Sequence, residues 1–385
     1  MKIAVIGARG IPAKYGGIER YCQELYPQIV TRGHEVDLYV QPSYHHQSWF
    51  SSFIYQRMKV IALPSFPGKR FRLLNSAINT AWATFGNYDI IHIHGIGAAW
   101  FTWFAQMFSD SSIIMTCHQL ESNRRRRGRF ARWLSPQLEK LAVMYTDKII
   151  VTSQELSDYF FNRYDIYCQY IANAPTRYTT RESHFGCRQA FGLDCTHYLL
   201  YSGTFEPDRR LDLLIEAFQR LQLPDWKLVL AGDMSHSFEY SIRLLQMAQQ
   251  QDNIIFTGEI SGNFLEELVR GADVFVNPDE GNNLSSSVAM LEAMREGIPV
   301  VASDTPHHQR LIGSDRGLLF RSGQFDSLLV QLEYATSRPN LLVNMAKKAQ
   351  TYIAVHHNWD KIIYQNLFLY LQLTTRIPLR PPHQV

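Results

Sequence analysis

Two polar, glycine-containing loops are the segments best suited to hold a negatively charged ligand. The first, residues 7–17, reads GARGIPAKYGG and lies between a short apolar run and an amphipathic segment. Glycines at a strand–helix junction let an anion approach backbone amides at the positive end of a helix dipole. We therefore expect Gly16 and Gly17 to border a phosphate. A simple tight turn is the alternative interpretation.

The second loop lies within residues 277–294, NPDEGNNLSSSVAMLEAM, which again run from strand to polar loop to helix. The serines at 285–287 are typical N-cap residues, so a second helix N-terminus suits an anion there. Glu292 follows in an apolar stretch of that helix. A glutamate in such surroundings favours a polar ligand over simple solvation.

Two histidines end buried-strand patterns: His94 closes DIIHIH at 89–94 and His118 closes IIMTCH at 113–118. Strand ends are where α/β folds bind ligands, so a functional role is favoured over a structural one for both. No cluster of histidine, cysteine or acidic residues has metal-ligand spacing, so we expect no bound metal.

The net charge excludes few classes of function, but the basic residues are unevenly distributed along the chain. The net charge of +3 is too small to indicate nucleic acid. Residues Arg124–Arg129 read RRRRGR, which is either a solvated loop or a contact with an anionic membrane or a lipid diphosphate. The aromatic segment 100–104 would add an interfacial surface, although aromatic clusters are more often core.

The protein is expected to be cytoplasmic, with membrane association as an open alternative. Its five cysteines form no CxxC pair, which is typical of reduced thiols. The apolar run after Met1 is too short for a signal peptide, and no stretch approaches the length of a membrane span.

Short apolar runs alternate with amphipathic segments, which predicts an α/β fold with parallel sheets. The alternation restarts near residue 197, and 385 residues favour more than one domain. We predict two Rossmann-like domains whose strand ends face a central cleft. The predicted strands are 2–6, 35–40, 59–63, 89–94, 112–116 and 148–151, then 198–201, 227–231, 253–256, 274–277 and 299–302. The predicted helices are 17–33, 71–85, 97–108 and 130–145, then 211–222, 237–250, 262–270, 286–296, 338–355 and 358–373.

Four regions follow from this pattern. They are a first domain at 1–175, a second domain at 176–355, a C-terminal helix at 356–373, and a flexible tail at 374–385.

The chain resembles GT-B glycosyltransferases of family 4, a retaining group that builds polysaccharides and glycolipids. The resemblance covers nearly the whole chain. It implies that the domain at 1–175 is the acceptor side, that the domain at 176–355 binds the nucleotide sugar, and that the helix at 356–373 packs back toward the first domain. The opening motif is also similar to that of a subgroup associated with rhamnosyl transfer in bacterial surface polysaccharides. The markers are ARGIPAKYGGIE at 8–19, YSGTFEPDRRLDLLIEAF at 201–218 and LEAMREGIPVVAS at 291–303.

This resemblance implies a role for individual residues. Gly17 would present its amide to the donor diphosphate, and Arg209 stands where the family has a diphosphate-binding lysine. Glu292 matches a glutamate that holds the ribose, His118 borders the transferred sugar, and His94 lines the acceptor side. The implied catalytic residues are His118, Glu280 and Arg209; the donor-binding residues are Gly16, Gly17, Thr204, Arg209, Arg210, Glu259, Ile260, Gly281, Asn282, Asn283, Leu284, Ser285 and Glu292; the acceptor-side residues are His94 and Arg124.

The chain departs from the family pattern at three points. Thr204 replaces an arginine expected on the diphosphate, and Arg210 replaces a common glycine, so Arg210 would compensate. Eleven residues separate Glu280 from Glu292, where the family has seven, which places Leu284 at the first-glutamate position. A longer loop that still brings Glu280 to the sugar is favoured over loss of the role.

The expected reaction moves a sugar from a UDP-, GDP- or dTDP-sugar to a saccharide or a lipid-diphosphate-linked saccharide. A nucleotide-sugar epimerase and a non-catalytic partner subunit are the alternatives. A nicotinamide oxidoreductase is disfavoured, because the GxGxxG fingerprint and its acidic ribose residue are both absent.

Overall fold

The computed structural model shows two compact units. The first comprises the described residues within 1–173, Leu284, and the helix from Trp359 onward; the second comprises 174–281 and 287–358. The first boundary lies two residues before the predicted one. The structure describes residues 1–13, 16–44, 48–66, 68, 71–120, 129–177, 186–249, 251–260, 262–281, 284 and 287–375.

An eight-stranded sheet forms the centre of the first unit, in the order β3-β4-β2-β1-β5-β6-β7-β8. All neighbours are parallel except β3, which pairs antiparallel with β4. The predicted parallel sheet is confirmed, and the antiparallel edge strand β3 is an addition that was not predicted. The strands are β1 Lys2–Ile6, β2 Glu35–Val40, β3 Ser51–Tyr55, β4 Met58–Ala62, β5 Ile90–His94, β6 Ser112–Cys117, β7 Lys148–Val151 and β8 Gln169–Tyr170.

Helices connect these strands because the linking segments carry apolar residues at helical spacing. Ser153 caps α5 by accepting a hydrogen bond from the backbone N–H of Leu156 at 3.2 Å. The helices of this unit are α1 Gly17–Val30, α2 Arg72–Thr84, α3 Thr102–Phe108, α4 Arg129–Met144, α5 Gln154–Tyr164 and α14 Trp359–Thr374.

The strand order of the first sheet reverses between β1 and β5, which lie side by side. Loops that leave the carboxyl ends of two such strands diverge, and the crevice that they leave is where α/β folds bind ligands. Gly7 occupies this point with a φ of 113°, and a Cβ there would lie 2.2 Å from the carbonyl oxygen of His94. A glycine is therefore required for the two strand ends to approach.

The second unit contains six parallel strands in the order β11-β10-β9-β12-β13-β14. The strands are β9 His197–Ser202, β10 Trp226–Ala231, β11 Ile254–Gly258, β12 Val274–Asn277, β13 Val300–Ser303 and β14 Leu318–Phe320. The helices are α6 Cys187–Ala190, α7 Leu211–Leu221, α8 Phe238–Met247, α9 Asn263–Gly271, α10 Val288–Arg295, α11 Pro306–Ile312, α12 Phe325–Ser337 and α13 Pro339–His356.

Helices cover both faces of this second sheet, so the middle of its central strand, Tyr198–Tyr201, is buried on both faces. In β9, Tyr198 and Leu200 belong to one core cluster, whereas Leu199 and Tyr201 belong to the cluster on the opposite face. The strand order reverses between β9 and β12. The loops after these two strands are thus positioned to form a ligand site.

Candidate active site

The strand reversal of the second unit brings together two loops with charged side chains. Arg209 ends a short helical turn after β9, and Asp279 follows β12 by two residues. The Arg209 guanidinium forms an ion pair with the Asp279 carboxylate. The backbone N–H of Glu280 donates to the carbonyl oxygen of Asp208 at 2.9 Å, which ties the two loops together.

Arg209 is a partly buried cation, with its side chain 17% exposed, and it has an unused donor. Burial lowers its pKa, but the attraction of Asp279 and neighbouring acidic groups outweighs burial and holds the pKa above its usual range. One nitrogen, Nε, is buried and has no hydrogen-bond acceptor among the described residues. An unmet buried donor is costly, so this N–H is suited to an anionic ligand.

A second ion pair lies beside the first. Arg210 donates to Oε1 of Glu280 at 2.9 Å, and both side chains are about a quarter exposed. The backbone of Arg210 is left-handed, with a φ of 48°, at a position where the related family commonly has glycine. The structure thus brings Glu280 and both arginines together, with each arginine paired to a carboxylate. Thr204 lies after β9, and its carbonyl oxygen accepts a hydrogen bond from Tyr201.

Glu292 lies in α10, whose N-cap Ser287 accepts a hydrogen bond from Met290 at 3.3 Å. The Glu292 side chain is 1% exposed, and neither carboxylate oxygen has a hydrogen-bond donor among the described residues. Buried Glu267 in the same unit differs, because it accepts the backbone N–H groups of Cys187 and Arg188. Glu292 is therefore a buried acceptor that lacks a partner.

A hydrogen-bond network that was not predicted from the sequence holds the Asp279 loop. The Ser303 hydroxyl, at the end of β13, donates to the carbonyl oxygen of Asp279. His308 contacts Asn277 through Nε2 at 3.2 Å and the carbonyl oxygen of Ser303 through Nδ1 at 2.9 Å. Burial lowers the pKa of His308 to about 4, so its ring is neutral. The strand-end positions of Asn277 and Ser303 were the available signal.

The remaining predicted donor-site residues do not all lie in the same part of the structure. Gly281 has a φ of 72°, and a Cβ there would lie 2.9 Å from Thr305. Glu259 and Ile260 follow β11 at the same sheet edge. Leu284 is grouped with the first unit, where its carbonyl oxygen accepts the Ser153 hydroxyl at 2.7 Å. The predicted residues Asn282, Asn283, Ser285 and Arg124, and most of the run at 124–129, lie outside the described residues.

In the first unit, the loop after β1 leads into the N-terminus of α1. No side chain caps this helix at Gly16. A Cβ on Gly17 would meet no atom of the described residues within 4 Å. Glu19 shapes the loop by accepting from both the backbone N–H and Nε of Arg9, at 3.0 and 2.7 Å. The anion site at this loop stays a prediction, and the role of Glu19 in the loop was not predicted.

His118 follows β6, and His94 ends the neighbouring β5. Nδ1 of His94 lies 3.0 Å from Nε2 of His118, and Nε2 of His94 lies 2.6 Å from the Tyr26 hydroxyl. His94 is 1% exposed and both of its nitrogens are engaged. We predicted that His94 lines the acceptor side, but its buried ring offers no accessible surface to an acceptor. It links Tyr26 to the partly exposed His118.

Burial governs the charge of these rings. It lowers the pKa of His92 to about 3 and of His118 to about 4, and it also lowers the pKa of His94. All three rings are therefore neutral at pH 7. No group of three or more side chains in the described part of the chain is arranged to hold a metal ion.

Acidification is expected to destabilise the first unit through His92. Its folded pKa of about 3 lies below the unfolded value, so the unfolded state binds more protons as pH falls through about 6.5. At pH 5 this single group removes about 2 kcal/mol of unfolding free energy relative to pH 7.5. Urea denaturation at both pH values, with His92→Gln for comparison, measures the effect. Equal stabilities of the native protein at both pH values would contradict it.

None of the helices among the described residues is both long and apolar enough to cross a membrane.

Two family models match consecutive parts of the chain. The model of glycosyltransferase family 4 matches residues 15–173, and the model of glycosyl transferases group 1 matches residues 189–352. An uncharacterized glycosyltransferase of Methanocaldococcus jannaschii is 24% identical, over 96% of this chain and 98% of its own length. The two matched segments coincide with the two sheet-centred units.

Solved structures show the same fold. Sucrose-phosphate synthase of Thermosynechococcus elongatus superimposes with a TM-score of 0.83 at 20% identity, covering 97% of this chain and 99% of its own. Anabaena HepE, solved with UDP and glucose, gives 0.77 at 18% identity, covering 97% and 100%. With two Rossmann-like units and both family models matched in order, the chain belongs to the glycosyltransferases with the GT-B fold.

Proposed function

We propose that the protein transfers a sugar from a UDP-, GDP- or dTDP-sugar to a saccharide or lipid-linked saccharide, with retention of anomeric configuration, during polysaccharide synthesis. One observation carries the donor part of this proposal. The second unit contains a buried N–H without an acceptor, on Arg209, and a buried carboxylate without a donor, on Glu292. A nucleoside diphosphate offers phosphate oxygens to the first and ribose hydroxyls to the second.

The fixed charges of the site suit departure of a diphosphate. As the bond from the anomeric carbon breaks, negative charge develops on the leaving oxygen, and a preorganised cation stabilises the transition state more than the ground state. Arg209 remains protonated because Asp279 raises its pKa. Arg210, paired with Glu280, supplies the second cation in place of the one that Thr204 lacks.

Other parts of the proposal rest on the family resemblance. Retention of configuration comes from the resemblance to family 4 as a whole. A rhamnosyl donor and surface polysaccharide as the product come from the opening motif alone. The resemblance also assigns Gly17 to the diphosphate, Glu280 and His118 to the sugar, and backbone groups near Gly258 to the base. No metal is required for donor binding in this proposal.

An aromatic surface supports a lipid-linked acceptor. The ring centroid of Phe50 lies 5.6 Å from that of Trp82. The ring centroid of Phe104 lies 6.1 Å from that of Phe85 and 4.7 Å from that of Phe108. Trp82, Phe85 and Phe108 are each more than half exposed. After Arg72, neither α2 nor α3 contains a charged residue. Exposed aromatic side chains of this kind favour a membrane interface, and the basic run at 124–129 would add attraction to anionic lipid.

Loss of this surface is expected to release the protein from membranes. Trp82→Ser with Phe85→Ser should reduce the fraction that sediments with phosphatidylglycerol-containing vesicles by several-fold, because apolar insertion is lost. Phe238→Ser is the matched control, since Phe238 is 72% exposed but lies in the second unit. Equal sedimentation of all three proteins would refute the membrane contact.

A transfer assay tests the proposed reaction. The protein is incubated with each nucleotide sugar, with and without membrane-lipid extract, and products are identified by mass spectrometry and by the anomeric configuration in NMR spectra. Release of nucleoside diphosphate with a retained glycosidic product is expected. An altered nucleotide sugar formed without an acceptor would instead indicate an epimerase. Nucleotide binding without any turnover would indicate a non-catalytic partner subunit.

A further inference from the structure

The ring of His308 in the second unit lies between groups from the last residues of two neighbouring strands, β12 and β13. Nδ1 of His308 lies 2.9 Å from the carbonyl oxygen of Ser303 and 3.2 Å from the Ser303 hydroxyl. Nε2 lies 3.2 Å from Nδ2 of Asn277. Because one of these partners is a carbonyl oxygen, the contacts determine where the ring carries its proton.

The Ser303 residue places that proton on Nδ1. Its carbonyl oxygen accepts hydrogen bonds and cannot donate one, so Nδ1 of His308 must be the donor. The Ser303 hydroxyl is not an alternative donor to Nδ1, because it donates its single proton to the carbonyl oxygen of Asp279. Burial lowers the pKa of His308 to about 4 against the attraction of Asp279, so the ring is neutral at pH 7. Nε2 therefore carries a lone pair.

The lone pair on Nε2 orients the side-chain amide of Asn277. Only the Nδ2 arm of an asparagine amide can donate to a lone pair, so the Oδ1 arm points away from His308. Oδ1 makes no hydrogen bond with the residues that the structure describes. Asn277 is 3% exposed, so little of this side chain is in contact with solvent. Its acceptor is therefore available to a ligand.

Asn277 lies where the second sheet is suited to bind a ligand. It is the last residue of β12, whose neighbour β9 marks the reversal of strand order. Its side chain is on the same face of β12 as Phe275, which packs in the core cluster that includes residues of α10. That helix carries Glu292, and the ion-paired Asp279 follows Asn277 by two residues. Asn277 thus lies on the side of the sheet assigned to the nucleotide sugar.

We propose that Asn277 is a further donor-site residue whose Oδ1 accepts a hydrogen bond from a hydroxyl of the nucleotide sugar, and that His308 and Ser303 are positioning residues for its amide. The hydroxyl belongs to the ribose or to the transferred sugar, which offer the same chemistry. The identity of the ligand rests on the proposed function. The orientation of the amide rests on the geometry of the second unit alone.

Histidine NMR tests the orientation without a ligand. The protein is labelled with 15N-histidine, and the His308 signals are assigned by their loss in His308→Gln. We expect a protonated Nδ1 and an unprotonated Nε2. Asn277→Leu should keep this tautomer, because the carbonyl oxygen of Ser303 sets it. A proton on Nε2 of the native protein at pH 7 would overturn the proposal.

Two substitutions of His308 test its positioning role. The Oε1 atom of His308→Gln can accept from Nδ2 of Asn277 as Nε2 does, so this variant should bind the nucleotide sugar within about twofold of the native protein. His308→Leu offers no acceptor, so the Asn277 amide loses its fixed orientation and binding should weaken as in Asn277→Leu. Equal affinities of the two His308 variants would contradict the positioning role.

Asn366→Leu is the control for loss of a buried amide. Asn366 is fully buried in the first unit, where its Nδ2 donates to the carbonyl oxygen of Ile362 at 2.8 Å. This variant should bind the nucleotide sugar like the native protein. A loss of affinity equal to that of Asn277→Leu would show that the effect of Asn277 is general destabilisation, and it would overturn the proposed contact.

Calorimetric titration identifies the hydroxyl. Asn277→Leu should bind the nucleotide sugar about five- to tenfold more weakly, the effect of one lost hydrogen bond. Equal weakening of the free nucleoside diphosphate would assign the hydroxyl to the ribose, whereas weakening of the nucleotide sugar alone would assign it to the transferred sugar. Native affinity of Asn277→Leu for both ligands would overturn the contact. Absence of nucleotide binding by the native protein would instead defeat the proposed function and leave the NMR result standing.

Discussion

Arg209→Ala is expected to lower kcat for sugar transfer by on the order of 10²- to 10³-fold, the cost of removing one preorganised group that stabilises developing negative charge. Its Nε is the buried donor without an acceptor, and Asp279 keeps the guanidinium protonated. Arg209→Lys should retain activity within about tenfold, because the charge remains and the related family carries lysine there. Steady-state kinetics with the nucleotide sugar identified by the transfer assay measures both variants.

A control separates this effect from unfolding. Arg209→Ala leaves Asp279 buried without its ion-pair partner, and an uncompensated buried charge costs about 3–5 kcal/mol. The double variant Arg209→Ala with Asp279→Asn removes that charge while an amide oxygen can still accept the Gly281 N–H. It should recover much of the lost thermal stability but none of the lost rate. A double variant with native kcat would exclude Arg209 from the reaction.

Glu292→Met is expected to stabilise the ligand-free protein and to weaken nucleotide binding by about 100-fold. A buried acceptor without a partner costs about 1–3 kcal/mol, so an apolar side chain of similar length should raise the unfolding free energy by that amount. The same change removes the acceptor for the ribose hydroxyls, and two hydrogen bonds of about 1–1.5 kcal/mol each account for the lost affinity. Thermal denaturation and calorimetric titration measure the two effects.

Glu267→Met is the matched control, because Glu267 is also buried in the second unit but accepts two backbone N–H groups. It should destabilise the protein, opposite in sign to Glu292→Met. Since the Glu292 oxygens are out of solvent contact, binding also requires the surrounding residues to uncover them. Destabilisation by Glu292→Met, or unchanged nucleotide affinity, would contradict the ribose role.

Much of the fold could be predicted because buried parallel strands are short apolar runs. The predicted bounds of β1, β2 and β7 agree with the structure residue for residue. Elements with weaker patterns were missed. Helix α5 buries only Leu156 and Phe160, and β14 has three residues. Strand β3 alternates half-buried with exposed positions at the sheet edge, so it lacks a continuous apolar run.

His118 became a candidate because it follows the carboxyl end of a predicted strand, which the alternation of apolar runs locates. Arg209 and Glu280 became candidates through the family resemblance, and the roles of all three residues stay predictions. Their partners were not predictable, because they depend on tertiary packing. Tyr370 reaches His92 from 278 positions away in the sequence. Nothing local indicates that contact.

Calorimetric titration with nucleotides tests the central claim most directly, that the unpaired N–H of Arg209 and the unpaired carboxylate of Glu292 mark a nucleoside-diphosphate site. UDP, GDP and dTDP are titrated into the native protein, and the matching monophosphate follows as the control for the diphosphate. We predict that one diphosphate binds, that its monophosphate binds more weakly, and that Arg209→Ala and Glu292→Met each weaken the diphosphate. Absence of binding by all three, or binding that neither substitution changes, would contradict the claim.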